Sequence, residues 1–448
     1  MDYIINTPCG TLRGTKSRVE GIVAYKGIRY ATAGRFKYPK EVTHWDGVYD
    51  ATKYGACSYQ PRAFYNEEDM PKKIFYYNEF RKGDEYKYSE DCLFLNVFTP
   101  EKVEGKLPVI IYIHGGGFTG GCGHEKHFDT PIWPKKGVIG VTLNYRLGPL
   151  GFAVLPELKA EGGKKGKTGN YGLYDQLTAI KWVKHNIAAF GGDPDNITIM
   201  GQSAGAMSVQ QHCLSPLSKG LFHKAVMSSG GGVNKMLSAS RPEKGYDFWH
   251  AVMEDVGARN LKEFRAVPVE EIFKSWKKLM KTKKGGFCMP YIDGKLVVDT
   301  SANLVEQGRH HKIPYLVGST SHDMLPPFLY SMATKWCELQ ETPAYSWYFE
   351  RMLPGDRHGA WHSSDLWYWF GTLENGWRPF NDKDYELTNI MTDYLTNFAK
   401  TSDPNGEGLP AWTEDGGSIR LGGKKNEMGT PSKLKMTWTM LTNHAPGE

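Results

Sequence analysis

The sequence predicts an α/β fold: a mostly parallel central sheet with helices on both faces, in one unit spanning residues 1–448. Three observations carry this. Apolar runs of strand length alternate with stretches of helical periodicity, the pattern of a sheet buried on both faces. The first third is instead rich in turns and short strands, as expected of an antiparallel extension. Residues 200–206, Met-Gly-Gln-Ser-Ala-Gly-Ala, put a Gly-x-Ser-x-Gly motif where a strand gives way to a helix.

The elements follow in chain order. Residues 60–88 interleave Phe and Tyr with charges and read as a long loop over the mouth of a site, with a plain surface loop as the alternative. Pro108-Val-Ile-Ile-Tyr-Ile113 and Val138-Ile-Gly-Val-Thr-Leu143 are continuous apolar runs, hence buried strands. Leu173, Leu177, Ile180 and Val183 fall at helical spacing, and the helix stops near Phe190-Gly-Gly. Ile197-Thr-Ile-Met200 is the strand entering the serine motif, and Ala204 onward is its helix. Ala225-Val-Met-Ser228 and Tyr315-Leu-Val-Gly318 are two later strands.

Composition narrows the function classes. The chain has 448 residues, 40% hydrophobic and 23% charged, enough apolar material for a large core. The net charge of +6 comes from scattered lysines. The densest clusters, Lys164–Lys167 and Lys277–Lys284, lack aromatic platforms, so they read as solvated surface and no nucleic-acid partner is expected. No apolar run reaches membrane-spanning length, so no membrane partner is expected either. The first residues, Met-Asp-Tyr-Ile-Ile-Asn-Thr-Pro, have neither a basic region nor an apolar stretch. Reduced thiols in a cytoplasm are therefore the expectation for the seven cysteines, with a secreted mature form left open. Cys57 and Cys92 are the one pair worth testing for a bridge. Oligomeric state is not legible.

The serine motif sets the chemistry. In such a turn the serine is strained and bulk two residues to either side would clash, which Gly201 and Gly205 avoid. Ser203 would stand exposed at a helix start, with the Ala204 N–H facing a developing oxyanion. A serine hydroxyl needs a base, and the base an orienting acid, in the chain order Ser, acid, His. Asp323 follows the strand at 315–318 by five residues. Of 14 histidines, only His358, His362 and His444 lie beyond it. His444 sits in a Pro/Gly-ended tail. His362, entering an aromatic stretch through Gly371, is preferred to His358. His114-Gly-Gly-Gly-Phe118 follows a buried strand and lacks the lysine and hydroxyl residue of a phosphate loop. Gly116, Gly117 and Ala204 are therefore the expected oxyanion donors.

With these residues in view, the chain resembles the type-B carboxylesterase (cholinesterase-like) family, close to its bacterial para-nitrobenzyl esterase-like branch. The likeness runs nearly end to end. It is carried by Ser89-Glu-Asp-Cys-Leu-Phe-Leu-Asn96, Asn144-Tyr-Arg-Leu-Gly-Pro-Leu-Gly-Phe152, Gly169-Asn-Tyr-Gly-Leu-Tyr-Asp-Gln176, Phe190-Gly-Gly-Asp-Pro194 and Asn397-Phe-Ala-Lys-Thr-Ser-Asp-Pro-Asn405. The resemblance implies an α/β-hydrolase fold, hydrolysis of small-molecule carboxylic esters without a cofactor, and a Ser203, Asp323, His362 triad. It also implies structural ion pairs Arg35–Glu90 and Arg146–Asp175, and places Ser229 behind the triad. Departures from the family are informative. Its acid is usually Glu, here Asp323. Asp365 matches a family carboxylate outside the triad and is the fallback acid. Gln202 stands where Glu is usual and removes a buried charge. Only 39 residues separate Asp323 from His362, so the helical cap is reduced and a more open gorge is expected. No tryptophan lies between Cys57 and Cys92, which argues against choline esters.

Short-chain or aromatic acyl esters, with hydroxycinnamoyl (feruloyl-type) esters as the alternative, are the expected substrates. Lipase action on long chains is disfavoured, since no large apolar lid is visible. Trp361, Trp367 and Trp369 are expected in the core, with pocket lining as the sharper alternative. A non-catalytic binding domain is a weaker reading, because such domains lack the serine or histidine. Cys122, His124, His127 and Asp129 cluster in the loop after the glycines, but at no recognised zinc spacing, so no catalytic metal is expected.

Overall fold

Alternation of side chains along one strand shows how the sheet is used. In Leu107–Ile113, Val109, Ile111 and Ile113 enter one hydrophobic core while Ile110 and Tyr112 enter another on the opposite face. Ile197 and Ile199 divide from Met200 in the same way, and Tyr315 and Val317 from Leu316. The computed structural model describes residues 3–71, 73–163, 166–233, 237–415 and 417–442. His444, Lys164 and Lys165 lie outside them.

The sheet runs in the order Tyr3–Thr7, Gly10–Lys16, Ile22–Arg29, Phe94–Pro100, Ile139–Leu143, Leu107–Ile113, Gly192–Gln202, Lys224–Ser228, Tyr315–Thr320, Ala344–Phe349, Ser418–Leu421, Glu427–Gly429. Every pairing from Ile139–Leu143 to Ser418–Leu421 is parallel. The early strands are antiparallel along this path, the extension that the turn-rich first third predicts. Helices Tyr171–Asn186 and Ala204–Leu214 pack on one face. Leu366–Phe370 and Asp382–Thr401 pack on the other, through Trp367, Trp369, Met391, Leu395 and Phe398. Helix Asp382–Thr401 is started by a capping box at Asn381 and Asp384. This is the α/β-hydrolase architecture.

The stretch between Lys224–Ser228 and Tyr315–Thr320 holds helices Glu243–Asp255, Leu261–Ala266, Val269–Leu279 and Ser301–Glu306. Between Asp323 and His362 lie one helix, Pro326–Glu338, and one strand, Ala344–Phe349. The ion pairs expected from the resemblance are formed: Arg35 grips both oxygens of Glu90, and Arg146 grips Asp175 at 2.7 and 2.8 Å with both partners buried. Two expectations need correcting. Residues 60–88 are not a plain loop: they carry helix Ile74–Phe80, whose Phe75, Tyr76 and Phe80 rings pack on Trp361. Cys57 and Cys92 are both free thiols. Cys57 turns instead towards His124, its Sγ 3.7 Å from Nε2, while Cys92 is buried beside the Arg146–Asp175 pair, where burial pushes its thiol up to about 12.

Candidate active site

The serine turn is built as its glycines require. Strand Gly192–Gln202 ends against helix Ala204–Leu214, and Ser203 between them has φ 56° and ψ −125°. This is a backbone conformation that L residues rarely adopt. A Cβ on Gly201 would lie 2.3 Å from the Gly205 carbonyl carbon and oxygen, and one on Gly205 would lie 2.0 Å from the Ile113 carbonyl oxygen. Both obstacles are backbone and cannot rotate away. The Ser203 N–H donates to Ser228 O at 2.8 Å and the Ser229 N–H to Gly318 O at 2.8 Å, so the turn is sewn to the neighbouring strand ends. Ser203 keeps part of its surface open to solvent.

The glycine run lies against this turn. An added Cβ on Gly115 would fall 3.1 Å from Ser203 Cβ. Gly116 and Gly117 have φ of 102° and 61° and are exposed, whereas Phe118 is buried. The loop is fixed from behind. Buried His114 donates to Gly115 O at 2.8 Å and stacks on Tyr145, and Gln60 bonds both the N–H and the carbonyl of Gly121 at 3.0 and 3.1 Å. Two exposed glycines and the start of the Ala204–Leu214 helix thus flank Ser203.

The loops that carry Asp323 and His362 meet through backbone as well as side chains. A parallel bridge joins His322 to Trp361, and the His322 N–H donates to Ala360 O at 2.9 Å. Gly359, at φ 70°, lies so close that an added Cβ would strike the His322 ring at 2.3 Å. The neighbours of these residues, Asp323 and His362, are thereby opposed, and Asp323 Oδ1 accepts from His362 Nδ1 at 2.5 Å. Asp323 Oδ1 also accepts from the Met324 N–H at 2.9 Å, and Oδ2 from the Thr320 N–H and hydroxyl at 3.2 and 3.1 Å. Burial opposes ionisation of Asp323, but facing His362, with Ser229 beside it, holds the carboxyl below its usual range. Burial likewise opposes the imidazolium, yet Asp323 and then Asp365 hold the His362 pKa above its ordinary value.

Asp365 does not compete for the ring. Its Oδ2 accepts from Ser228 Oγ at 2.9 Å and Trp369 Nε1 at 3.1 Å, and burial with nearby Asp323 raises it to about 6. At the other end of the imidazole, among the described residues, the Gln202 amide donates to Nε2 at 3.1 Å and Ser203 has no hydrogen bond to the ring. Nδ1 therefore carries the proton and Nε2 presents a lone pair. Gln202 holding that lone pair was not legible in the sequence, where only its missing charge stood out. His358 packs on Phe75, away from the pair. Trp361, Trp367 and Trp369 are fully buried, so they are core rather than pocket walls.

The arrangement can do acyl transfer chemistry. The carboxylesterase family model matches residues 1–337 and 327–421. The para-nitrobenzyl esterase of Bacillus subtilis (strain 168) is 36% identical over 332 residues, 71% of this chain and 62% of that protein. The fumonisin B1 esterase of Sphingopyxis macrogoltabida is 33% identical over 329 residues, 71% of this chain and 56% of that protein. The chain thus spans about three-fifths of these relatives. A solved PNB esterase superposes with a TM-score of 0.82 at 27% identity, covering 98% of this chain and 99% of that one. Among the described residues no helix is long and apolar enough to cross a membrane. The chain belongs to the carboxylesterase family.

Proposed function

We propose that this chain hydrolyses small-molecule carboxylic esters through an acyl-enzyme on Ser203. The observation that carries the reading is Ser203 held at φ 56° beside exposed Gly116 and Gly117, with the His362–Asp323 pair behind it. His362 Nε2 trades the Gln202 amide for the Ser203 hydroxyl and takes its proton as Oγ attacks the ester carbonyl. Asp323 keeps the proton on Nδ1 and stabilises the imidazolium. The N–H groups of Gly116, Gly117 and Ala204 bind the oxyanion. His362 then protonates the leaving alcohol, and water repeats the sequence on the acyl-enzyme. Ser229 and Asp365 act behind the triad.

Within this class we favour short or aromatic acyl groups, hydroxycinnamoyl esters included. The short Asp323–His362 connection and the exposure of Met324 (67%) and Leu325 (38%) beside Asp323 support an open, apolar-edged mouth. A p-nitrophenyl ester series from acetate to palmitate, with methyl ferulate alongside, tests both levels. Turnover by the parent chain that is lost in Ser203→Ala supports the hydrolase. Preference for palmitate overturns the acyl assignment, and no turnover of any ester by folded protein overturns the hydrolase.

A further inference from the structure

The fold reorganises the cysteine and histidine cluster noted after the glycine run. His127 leaves it, stacking on Phe80 at 4.1 Å and packing tilted against Phe128 at 3.9 Å. Asp129 leaves it too, accepting from Tyr54 and pairing with Arg18. In their place comes Cys57, far upstream in sequence. The Sγ atoms of Cys57 and Cys122 and a ring nitrogen of His124 all lie within 4.8 Å of one another. Both cysteines are buried, at 0% and 1% exposure, and both are free.

We propose that Cys57, Cys122 and His124 form a zinc-binding site behind the glycine loop, separate from Ser203. Thiolate and imidazole are the ligands zinc favours. With Zn–S near 2.3 Å and Zn–N near 2.0–2.1 Å, the edges of a tetrahedral site are about 3.6–3.8 Å. The observed separation of Cys57 Sγ from His124 Nε2 is 3.7 Å, such an edge. The imidazole is already oriented, stacked on Tyr54 at 4.5 Å and 9° and on Tyr86 at 5.5 Å and 29°. Two thiolates balance a divalent cation. The adjacent Arg62, with Nη2 4.0 Å from Cys122 Sγ, is itself neutralised by Glu125 at 2.6 Å. The fourth position falls to water. The ion would clamp Cys57, just ahead of residues 60–88, to the loop that carries Gly116 and Gly117, beside the Gln60–Gly121 bonds that already join them. The binding step is ligand exchange: zinc takes two thiolates and a neutral imidazole and releases the thiol protons to solvent.

The test uses the full chain, expressed in zinc-supplemented medium. Metal content is measured by mass spectrometry, and the chelator-stripped protein is titrated with Zn²⁺ and with Co²⁺ as a spectroscopic probe. About one zinc per chain and a thiolate-to-cobalt charge-transfer band are expected. Both should be lost in Cys122→Ser and retained in Ser203→Ala, and His124→Ala, which removes a direct ligand, should weaken affinity by more than the roughly 10–100-fold that losing an outer partner costs. Circular dichroism shows whether each variant folds, and Cys57→Ser serves if Cys122→Ser does not. The parent titration decides in either case. Absence of zinc and of a cobalt band in the folded parent chain overturns the site, as does a Cys57–Cys122 disulfide found by peptide mapping.

Discussion

In the proposed mechanism, Asp323→Asn separates what the carboxylate does by charge from what it does by position. Both carboxylate oxygens accept from backbone N–H groups, Oδ2 from Thr320 and Oδ1 from Met324. An asparagine must therefore aim its amide nitrogen at a donor. If its oxygen faces Met324 and His362, the ring keeps its tautomer and the buried Thr320 N–H loses its acceptor. That costs about 1–3 kcal/mol of folding stability, read by urea denaturation. The imidazolium also loses its counter-charge, and where the amide nitrogen instead faces the ring and imposes the wrong tautomer, the fall in kcat reaches about 10⁴-fold, roughly 5 kcal/mol of transition-state stabilisation. Residual activity should show its acid limb at lower pH than in the parent. The sign follows from the geometry: Asp323 raises the His362 pKa, the base must be neutral, and removing the charge lets it deprotonate sooner. The assay is kcat against pH on p-nitrophenyl acetate. A variant within about tenfold of the parent would refute the reasoning.

Three further outcomes follow from the same contacts. Asp365→Asn leaves the His362–Asp323 bond in place, so turnover at neutral pH should survive within about tenfold while the acid limb of the pH–kcat profile moves down. Gln202→Glu puts a carboxylate where an amide now donates to Nε2 at 3.1 Å; the pH–rate profile should show the acid limb raised by about 1–3 pH units. Arg146→Met strands the fully buried Asp175, which should lower unfolding free energy by about 3–5 kcal/mol in a denaturant titration.

Much of this was legible where a local physical rule operates. The serine turn could be read because Gly201 and Gly205 answer a steric demand two residues from Ser203. The buried strands could be read because both faces are covered, so their sequences run apolar throughout. The strand Gly192–Gln202 begins before Ile197 because its polar start still pairs with Leu107. What escaped was set by distant packing. Strand Ala344–Phe349, Ala-Tyr-Ser-Trp-Tyr-Phe, ends five residues before its turn signal, Pro354-Gly355, so its boundary is not marked locally. Helix Ile74–Phe80 exists because its aromatic residues find Trp361, nearly three hundred residues away. The grip of Thr320 and Met324 on Asp323 is made by backbone N–H groups, which no residue identity announces. The meeting of Cys57 with Cys122 and His124 is likewise a product of loop closure, and a bridge to Cys92 was the natural guess from sequence.

The central claim is that Ser203 is the nucleophile, and covalent labelling tests it most directly. The folded chain is treated with a fluorophosphonate, digested and mapped by mass spectrometry, with ester turnover followed in parallel. The account predicts one adduct, on Ser203, with activity falling in proportion to labelling and neither label nor turnover in Ser203→Ala. Full turnover by Ser203→Ala, or a labelled chain that still cleaves esters, would contradict it.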